Sequence, residues 1–369
     1  MGEPVPQSPI DIVIEPSINQ QETRNVAKKP EPASASLLTR FHAGYFRISL
    51  SCWGQVLLWR TLSEHINQTH AIFPNRALPS IAFLLLWWLS LCTLVLLSSL
   101  YILRIIFHFQ LEKAEFLHNV GVNYLFTPWI SWFLLLQAMP LGRLNNVLCQ
   151  ILWWAFVIPA VILDIKTYGQ WFTTEKRFLS MVANPTSQLS AMGNFVGAWA
   201  AARMGWKESS LCLFTLGLRH YMVVFITLYQ RLSGANRFPP MLRPVFFLFV
   251  AAPSTASLAW SSVSGSYDMP CKLLFFSVLI CRPTLFKKSM KRFNIAWWAY
   301  SFPVTFLALA SAEYTKQVKG VVATGLMLIL SGISVLVFLA MVVFTAINTD
   351  TLLQKNDPYL SFAATTDAK

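Results

Sequence analysis

The side chains with the clearest potential for chemistry are charged groups inside otherwise apolar runs. Arg47 lies in the first apolar run of the chain, and the neighbours Arg219 and His220 lie in a later one. A guanidinium group is costly in hydrocarbon, so it should face a bundle interior or a water-filled cavity, where an anion could stabilise it. Alternatively, Arg47 reaches back to the cytoplasmic headgroups. For Arg219 and His220, packing in the bundle interior is favoured.

The residue spacings of the known enzyme motifs are absent. The sequence has no Gly-rich phosphate loop, no HExxH and no GxSxG, and its carboxylates fall at the edges of apolar runs, as at Asp164 and Glu313. The six cysteines lack CxxC or Cys/His spacing, so we expect neither a metal site nor a disulfide framework. The sequence predicts a protein that is not an enzyme and needs no cofactor. The lack of deep carboxylates also argues against a proton-coupled pump or a cation channel.

The elements that position these residues are predicted to be transmembrane helices. Apolar residues make up 55% of the 369 residues and charged ones only 12%, about half the charged share of a soluble domain. The runs 81–103 and 321–347 contain no charge, and about 20 such residues span a bilayer core. The fold class is therefore an all-α membrane protein.

Ten apolar runs separated by short connections predict ten transmembrane helices arranged as five helical hairpins around a central pore. The predicted spans are Phe41 to Trp59, Ile81 to Leu103, Val120 to Leu141, Val147 to Leu163, Gln188 to Ala202, Ser209 to Tyr229, Pro244 to Val263, Leu273 to Cys281, Ile295 to Ala312, and Val321 to Ile347. They form one channel domain over 41–347, flanked by a disordered cytoplasmic tail over 1–40 and a cytoplasmic tail over 348–369. The eighth span is short for a crossing, with only nine apolar residues.

The distribution of basic residues predicts the orientation. Most of the 29 Lys and Arg residues fall on one side of the ten-span arrangement, which should be cytoplasmic, so both termini are expected there. The net charge of +13 is explained by these loops and not by a nucleic-acid-binding patch. Residues 1–29 are polar and lack an apolar h-region, so no cleaved signal peptide is expected. Asn67 begins an N-glycosylation sequon on the predicted outer side.

The odd-numbered spans differ from the even-numbered ones in their small residues and prolines. Such residues permit close helix approach or kink the helix, which suits helices that enclose a pathway. The alternative is ordinary tight packing, since Gly and Pro are common in membrane helices. The candidate pore-lining residues are Phe46, Arg47, Ser49, Pro128, Gly193, Gly197, Pro253 and Pro303.

Seven segments together resemble one known family, the plant slow-type anion channels. These segments are 42–50, 166–171, 182–186, 193–197, 227–232, 251–254 and 296–303. The similarity runs from about residue 41 to 345, and within the family the sequence is most similar to the short-tailed homologues.

The resemblance implies a plasma-membrane channel for chloride and nitrate, assembled as a homotrimer or heterotrimer with one pore in each subunit. It implies a fold shared with bacterial tellurite-resistance and dicarboxylate transporters, in which the odd helices line the pore. It also implies that Phe302, directly before Pro303, is the pore gate.

Three features depart from the family pattern. Only about 40 residues precede the first span, so Ser8, Ser34 and Ser36 are the possible acceptors for a protein kinase. Arg47 stands where many relatives have a small residue, and it could raise the positive potential or plug the pore. The eighth span is several residues shorter. Two alternative functions stay open: an electrically silent regulatory subunit that joins related channels, and a coupled organic-anion carrier.

Overall fold

The computed structural model describes residues 38–69, 77–118, 120–139, 146–173, 183–232, 240–280, 293 and 295–349, and these contain helices and no strand. The all-α class is confirmed. The predicted tails over 1–40 and 348–369 lie almost entirely outside the described residues.

Among the described residues, ten main helices overlap the ten predicted spans, and the eighth helix shares only 273–276 with the eighth span. They are α1 (Phe46–Thr69), α2 (Ala77–Phe107), α3 (Phe126–Ala138), α4 (Asn146–Thr173), α5 (Gln188–Arg203), α6 (Lys207–Leu232), α7 (Leu248–Ser264), α8 (Met269–Phe276), α9 (Trp298–Val318) and α10 (Val321–Ile347). Shorter helices at Phe109–Leu117 and Gly121–Tyr124 connect α2 to α3. The third span is therefore broken near Leu125, where one continuous run was predicted.

Six helical stretches among the described residues are long and apolar enough to cross a membrane. They are Ile81–Phe107, Val147–Phe172, Lys207–Gln230, Pro244–Ser264, Ile295–Val318 and Val321–Ile347. The remaining helices are shorter or more polar, so the count of ten crossings stays a prediction. Helix α8 begins at Met269, earlier than predicted, because Asp268 caps it by accepting a hydrogen bond from the Cys271 N–H at 3.4 Å.

The odd-numbered helices form a closed ring. Helix α1 packs against α3 and α9, α3 packs against α5, and α7 packs against both α5 and α9. Each even-numbered helix packs on the outside of the inner helix that precedes it. These contacts agree with the predicted pairing of the helices as hairpins, whereas the number of membrane crossings stays a prediction.

The five inner helices run parallel, so their starts meet at one end of the ring. The Thr127 hydroxyl near the start of α3 donates to the Ala43 carbonyl before α1, at 2.8 Å. At the opposite end, Arg203 of α5 donates to the Gln137 carbonyl of α3, also at 2.8 Å. We call the first end the N-terminal mouth and the second the C-terminal mouth.

Burial separates the inner helices from the outer ones. Most side chains of α5 and α9 are buried, whereas α2 and α10 expose large apolar side chains such as Leu85 and Leu336. A continuous apolar surface of this kind is stable in lipid and not in water. The ring therefore presents its outer helices to the bilayer.

Close contact between α1 and α9 depends on Gly54. A Cβ atom at this position would lie 3.2 Å from Thr305 Cγ2, tighter than ordinary van der Waals contact. Beside it, the Gln55 amide nitrogen donates to Thr305 Oγ1 at 3.0 Å and to Ser334 Oγ at 2.9 Å, which ties α1, α9 and α10 together.

We therefore expect Gly54→Leu to destabilise the fold by about 1–3 kcal/mol, because the added side chain overpacks the contact between α1 and α9. Thermal unfolding in detergent measures this. Gly325→Leu is the matched control, since a Cβ at Gly325 meets no atom within 4 Å. Equal melting temperatures for both variants would contradict the role given to Gly54.

Candidate functional site

Two phenylalanines of α9 are buried against each other. Phe302 and Phe306 are one helical turn apart, both almost fully buried, with ring centroids 4.4 Å apart. Pro303 lies between them inside the helix and lacks an N–H group, so the carbonyl of Ala299 has no helical donor at this turn. The residue that the family resemblance assigns as the gate thus packs on a second phenylalanine beside a proline.

Phe306 extends across the interior of the ring. Its ring meets the edge of Trp199 on α5, with centroids 6.5 Å apart, although α5 and α9 are not neighbours in the ring. A Cβ on Gly54 of α1 would lie 3.7 Å from Phe306 Cε2. We call Phe302, Phe306 and Trp199 the aromatic constriction. Sequence reasoning identified only Phe302, because spacing along each helix does not show that Phe306 and Trp199 meet.

Arg47 turns into the protein at the N-terminal mouth. Its side chain is buried, its Nε donates to the Gly44 carbonyl at 2.8 Å, and its guanidinium carbon lies 4.9 Å from the centre of the Tyr124 ring. Its Nη1 has no hydrogen-bond partner, and no carboxylate among the described residues forms an ion pair with it. The geometry matches the interior location and not the alternative of reaching the headgroups.

Other buried polar groups near the starts of the inner helices also lack partners. Gln188 opens α5, is fully buried, and neither atom of its side-chain amide has a hydrogen-bond partner within the described chain. The hydroxyl groups of Ser49 on α1 and Ser301 on α9 are also buried, and neither has a hydrogen-bond partner within the described chain. Buried polar groups are rarely left unpaired, so such a set indicates sites for water or an ion.

The remaining candidate pore-lining residues contact neighbouring helices. A Cβ on Gly193 would lie 3.5 Å from Phe126 of α3, and one on Gly197 would lie 3.2 Å from Leu213 of α6. Phe46 meets Tyr101 of α2 edge to face at 6.0 Å. Pro128 and Pro253 are buried in α3 and α7. Both glycines allow close helix packing, and a pore-lining role for these five residues stays a prediction.

A buried carboxylate was missed by the sequence reasoning. Asp164 was expected at a span edge, yet its side chain is buried in α4 and accepts hydrogen bonds from Ser190 and from Asn194, the latter at 2.8 Å. His220 is fully buried beside this group, as predicted, and its Nε2 donates to the Ser187 carbonyl at 2.9 Å. These bonds join α4, α5 and α6.

The expectation that Arg219 also packs in the bundle interior is wrong. Arg219 is exposed because consecutive residues of a helix point about 100° apart, so it cannot share the inward face of its neighbour His220.

An ionic cluster holds the turn that carries Gly44. Arg104, at the end of α2, pairs with Glu112 at 2.7 Å and with Glu115 at 3.4 Å, and all three side chains are buried. Glu115 also accepts a hydrogen bond from the Ala43 N–H at 3.3 Å. The cluster therefore fixes the backbone on which Arg47 is anchored.

Comparison with known proteins agrees with this architecture. A family model described as a voltage-dependent anion channel matches residues 40–346. The S-type anion channel SLAH1 of Arabidopsis thaliana is 54% identical, over 99% of this chain and 96% of the relative. The S-type anion channel SLAH4 of the same plant is 52% identical, over 95% of this chain and 96% of the relative. The guard cell S-type anion channel SLAC1 is 37% identical, over 86% of this chain and 58% of the relative.

The family model matches most of the chain, and SLAH1 and SLAH4 match almost the whole chain, so the resemblance seen in the sequence is confirmed, and the chain belongs to the S-type anion channel family.

Proposed function

We propose that this chain is a channel subunit that passes small monovalent anions, such as chloride and nitrate, passively along the axis of the ring of inner helices. The observation that carries the proposal is the buried guanidinium of Arg47, which no described carboxylate neutralises. Burying an unpaired charge costs several kcal/mol, and an anion that reaches the site removes much of that cost.

The electrostatics of the N-terminal mouth support selection for anions. Arg47 lies where the inner helices begin, and each helix start carries a partial positive charge from its peptide dipoles. Unpaired donors on Gln188 and Ser301 add hydrogen-bonding capacity for a partly dehydrated anion. A cation would be repelled by the same groups.

The aromatic constriction supports a closed conformation with Phe302 as the gate. Phe302 packs on Phe306, which reaches Trp199 across the ring, so the conduit is narrow where these rings meet. Pro303 removes one backbone hydrogen bond from α9, so the helix can bend at this turn and the Phe302 side chain can change its orientation.

Assembly, location and control are proposals that follow from the family. We propose that the ten-helix channel domain over 41–347 lies in the plasma membrane. The tails over 1–40 and 348–369, and with them both termini, are in the cytoplasm. The chain assembles as a homotrimer or as a heterotrimer with related subunits. The apolar outer faces of α2 and α10 are available to lipid or to another subunit. A protein kinase acting on Ser8, Ser34 or Ser36 is the proposed regulator.

Voltage clamp of cells that express the chain alone tests the function. We expect anion currents that reverse with the chloride or nitrate gradient and ignore the proton gradient. Surface labelling of the same cells tests the plasma-membrane location, and a glycosidase-sensitive mass shift at Asn67 would support the topology. Silence at the surface, with altered currents only beside a related channel, would instead identify a regulatory subunit.

Phe302→Ala should raise the basal current. Aromatic pairs contribute about 0.5–1.5 kcal/mol beyond area burial, so their loss should shift the ratio of open to closed channels about two- to tenfold. Phe338→Ala is the matched control, because it removes a buried ring from the outer helix α10. An unchanged current from Phe302→Ala channels that reach the surface would count against the gate.

Arg47→Gln should lower anion conductance about tenfold, because a charge-assisted hydrogen bond to the anion is worth about 1.5–3 kcal/mol. Arg47→Lys, which keeps the charge, should retain most of the conductance. Single-channel recording measures both. A higher conductance in the Gln variant would show that the arginine plugs the pathway and does not attract anions.

A further inference from the structure

A cavity opens at the C-terminal mouth, on the opposite side of the aromatic constriction from Arg47. It has a volume of about 200 Å³ and lies between the ends of α1, α5, α7 and α9. Leu57 and Trp199 are among its apolar lining, and Trp199 also contacts Phe306. The cavity therefore ends on the constriction.

The charges that line this cavity leave one guanidinium without a carboxylate. Glu64 pairs with Arg60 at 3.0 Å, and Glu313 pairs with Lys316 at 2.6 Å, so each carboxylate has its own cation. Arg203 also lines the cavity and forms no ion pair with any described carboxylate. The lining itself carries two arginines and two glutamates, so its formal charges balance, and Arg203 is the lining cation that has no carboxylate in direct contact.

The known contacts of Arg203 use only one of its three guanidinium nitrogens. Nη1 donates to the Gln137 carbonyl at 2.8 Å and to the Gln137 side-chain oxygen at 2.9 Å. These bonds cap the end of α3, which is a structural role. They also fix the guanidinium in place, while Nε and Nη2 donate to no residue that the structure describes.

We propose that the cavity at the C-terminal mouth binds one small monovalent anion, held by the free face of Arg203 with help from the hydroxyl groups of Ser261 and Ser262 that also line it. A guanidinium with two free donors recognises a halide or a planar oxyanion through charge-assisted hydrogen bonds. One water occupies about 30 Å³ in the liquid, so the cavity has room for such an anion with a few waters.

This inference rests on the proposed function and extends it. The site gives the pathway a second anion position, separated from Arg47 by the aromatic constriction. An anion that enters through the C-terminal mouth would bind at Arg203 before it reaches Trp199, and one that leaves would bind there after it has passed Trp199. The site should therefore set how the current saturates with the anion concentration on that side of the membrane.

The test is bromide binding to crystals of the full chain, because bromide scatters anomalously and resembles the proposed ligand. We expect an anomalous peak in contact with the Arg203 guanidinium in the wild type and in Arg203→Lys, and no peak there in Arg203→Gln. Lys207→Gln is the matched control, since it removes an exposed positive charge near the same mouth that does not line the cavity. The control should keep the peak.

A wild-type cavity without bromide, in crystals whose other sites are occupied, would overturn the proposal, and so would a peak that persists in Arg203→Gln. If Arg203→Gln fails to fold, the presence or absence of the bromide peak in the wild type and in Arg203→Lys still tests the proposal. In conducting channels, Arg203→Gln should raise the half-saturating anion concentration on the C-terminal side about tenfold. Bromide at Arg203 in a chain that carries no current would reject the channel function and leave the binding site standing.

Discussion

A positive charge inside a protein that lies in hydrocarbon needs a counter-charge, water or a mobile anion, and Arg47 has no described carboxylate to provide the first. Its position is fixed by the Gly44 carbonyl and by the face of Tyr124, both close to the start of the ring. Because the guanidinium is held within the protein, its charge stays near the start of the ring. We propose that this charge stabilises anions in the ring interior.

Contacts elsewhere in the molecule hold this charge in position. The buried ion pairs of Arg104 with Glu112 and Glu115 anchor the turn before α1 through the Ala43 N–H. Breaking such a buried pair would leave an uncompensated charge, so the turn has little freedom to move. At mid-ring, Gln55 joins α1 to α9 and α10, and this keeps the helix that carries Phe302 next to the helix that carries Arg47.

The proposed pathway is divided by its aromatic side chains. Phe306 and Trp199 meet across the ring from helices that are not neighbours, and Phe302 packs on Phe306. Each side of this division has a guanidinium with free donors, Arg47 at one mouth and Arg203 at the other. Two attractive positions with a movable barrier between them suit a channel, because an ion must bind well enough to arrive and weakly enough to leave.

The sequence alone determined the membrane class and the all-helical fold, because long uncharged runs span a bilayer only as helices. It also predicted the pairing of neighbouring helices, because short connections leave few other arrangements. It also marked Arg47, since an ionisable residue inside an apolar run is costly wherever it points. It could not decide which way that side chain turns, nor that Asp164 is buried among α4, α5 and α6, nor that Arg219 is exposed. The contact of Phe306 with Trp199 and the cavity beside Arg203 depend on how helices distant in sequence are placed around the ring. Such distances are set by tertiary packing, and no spacing within one helix encodes them.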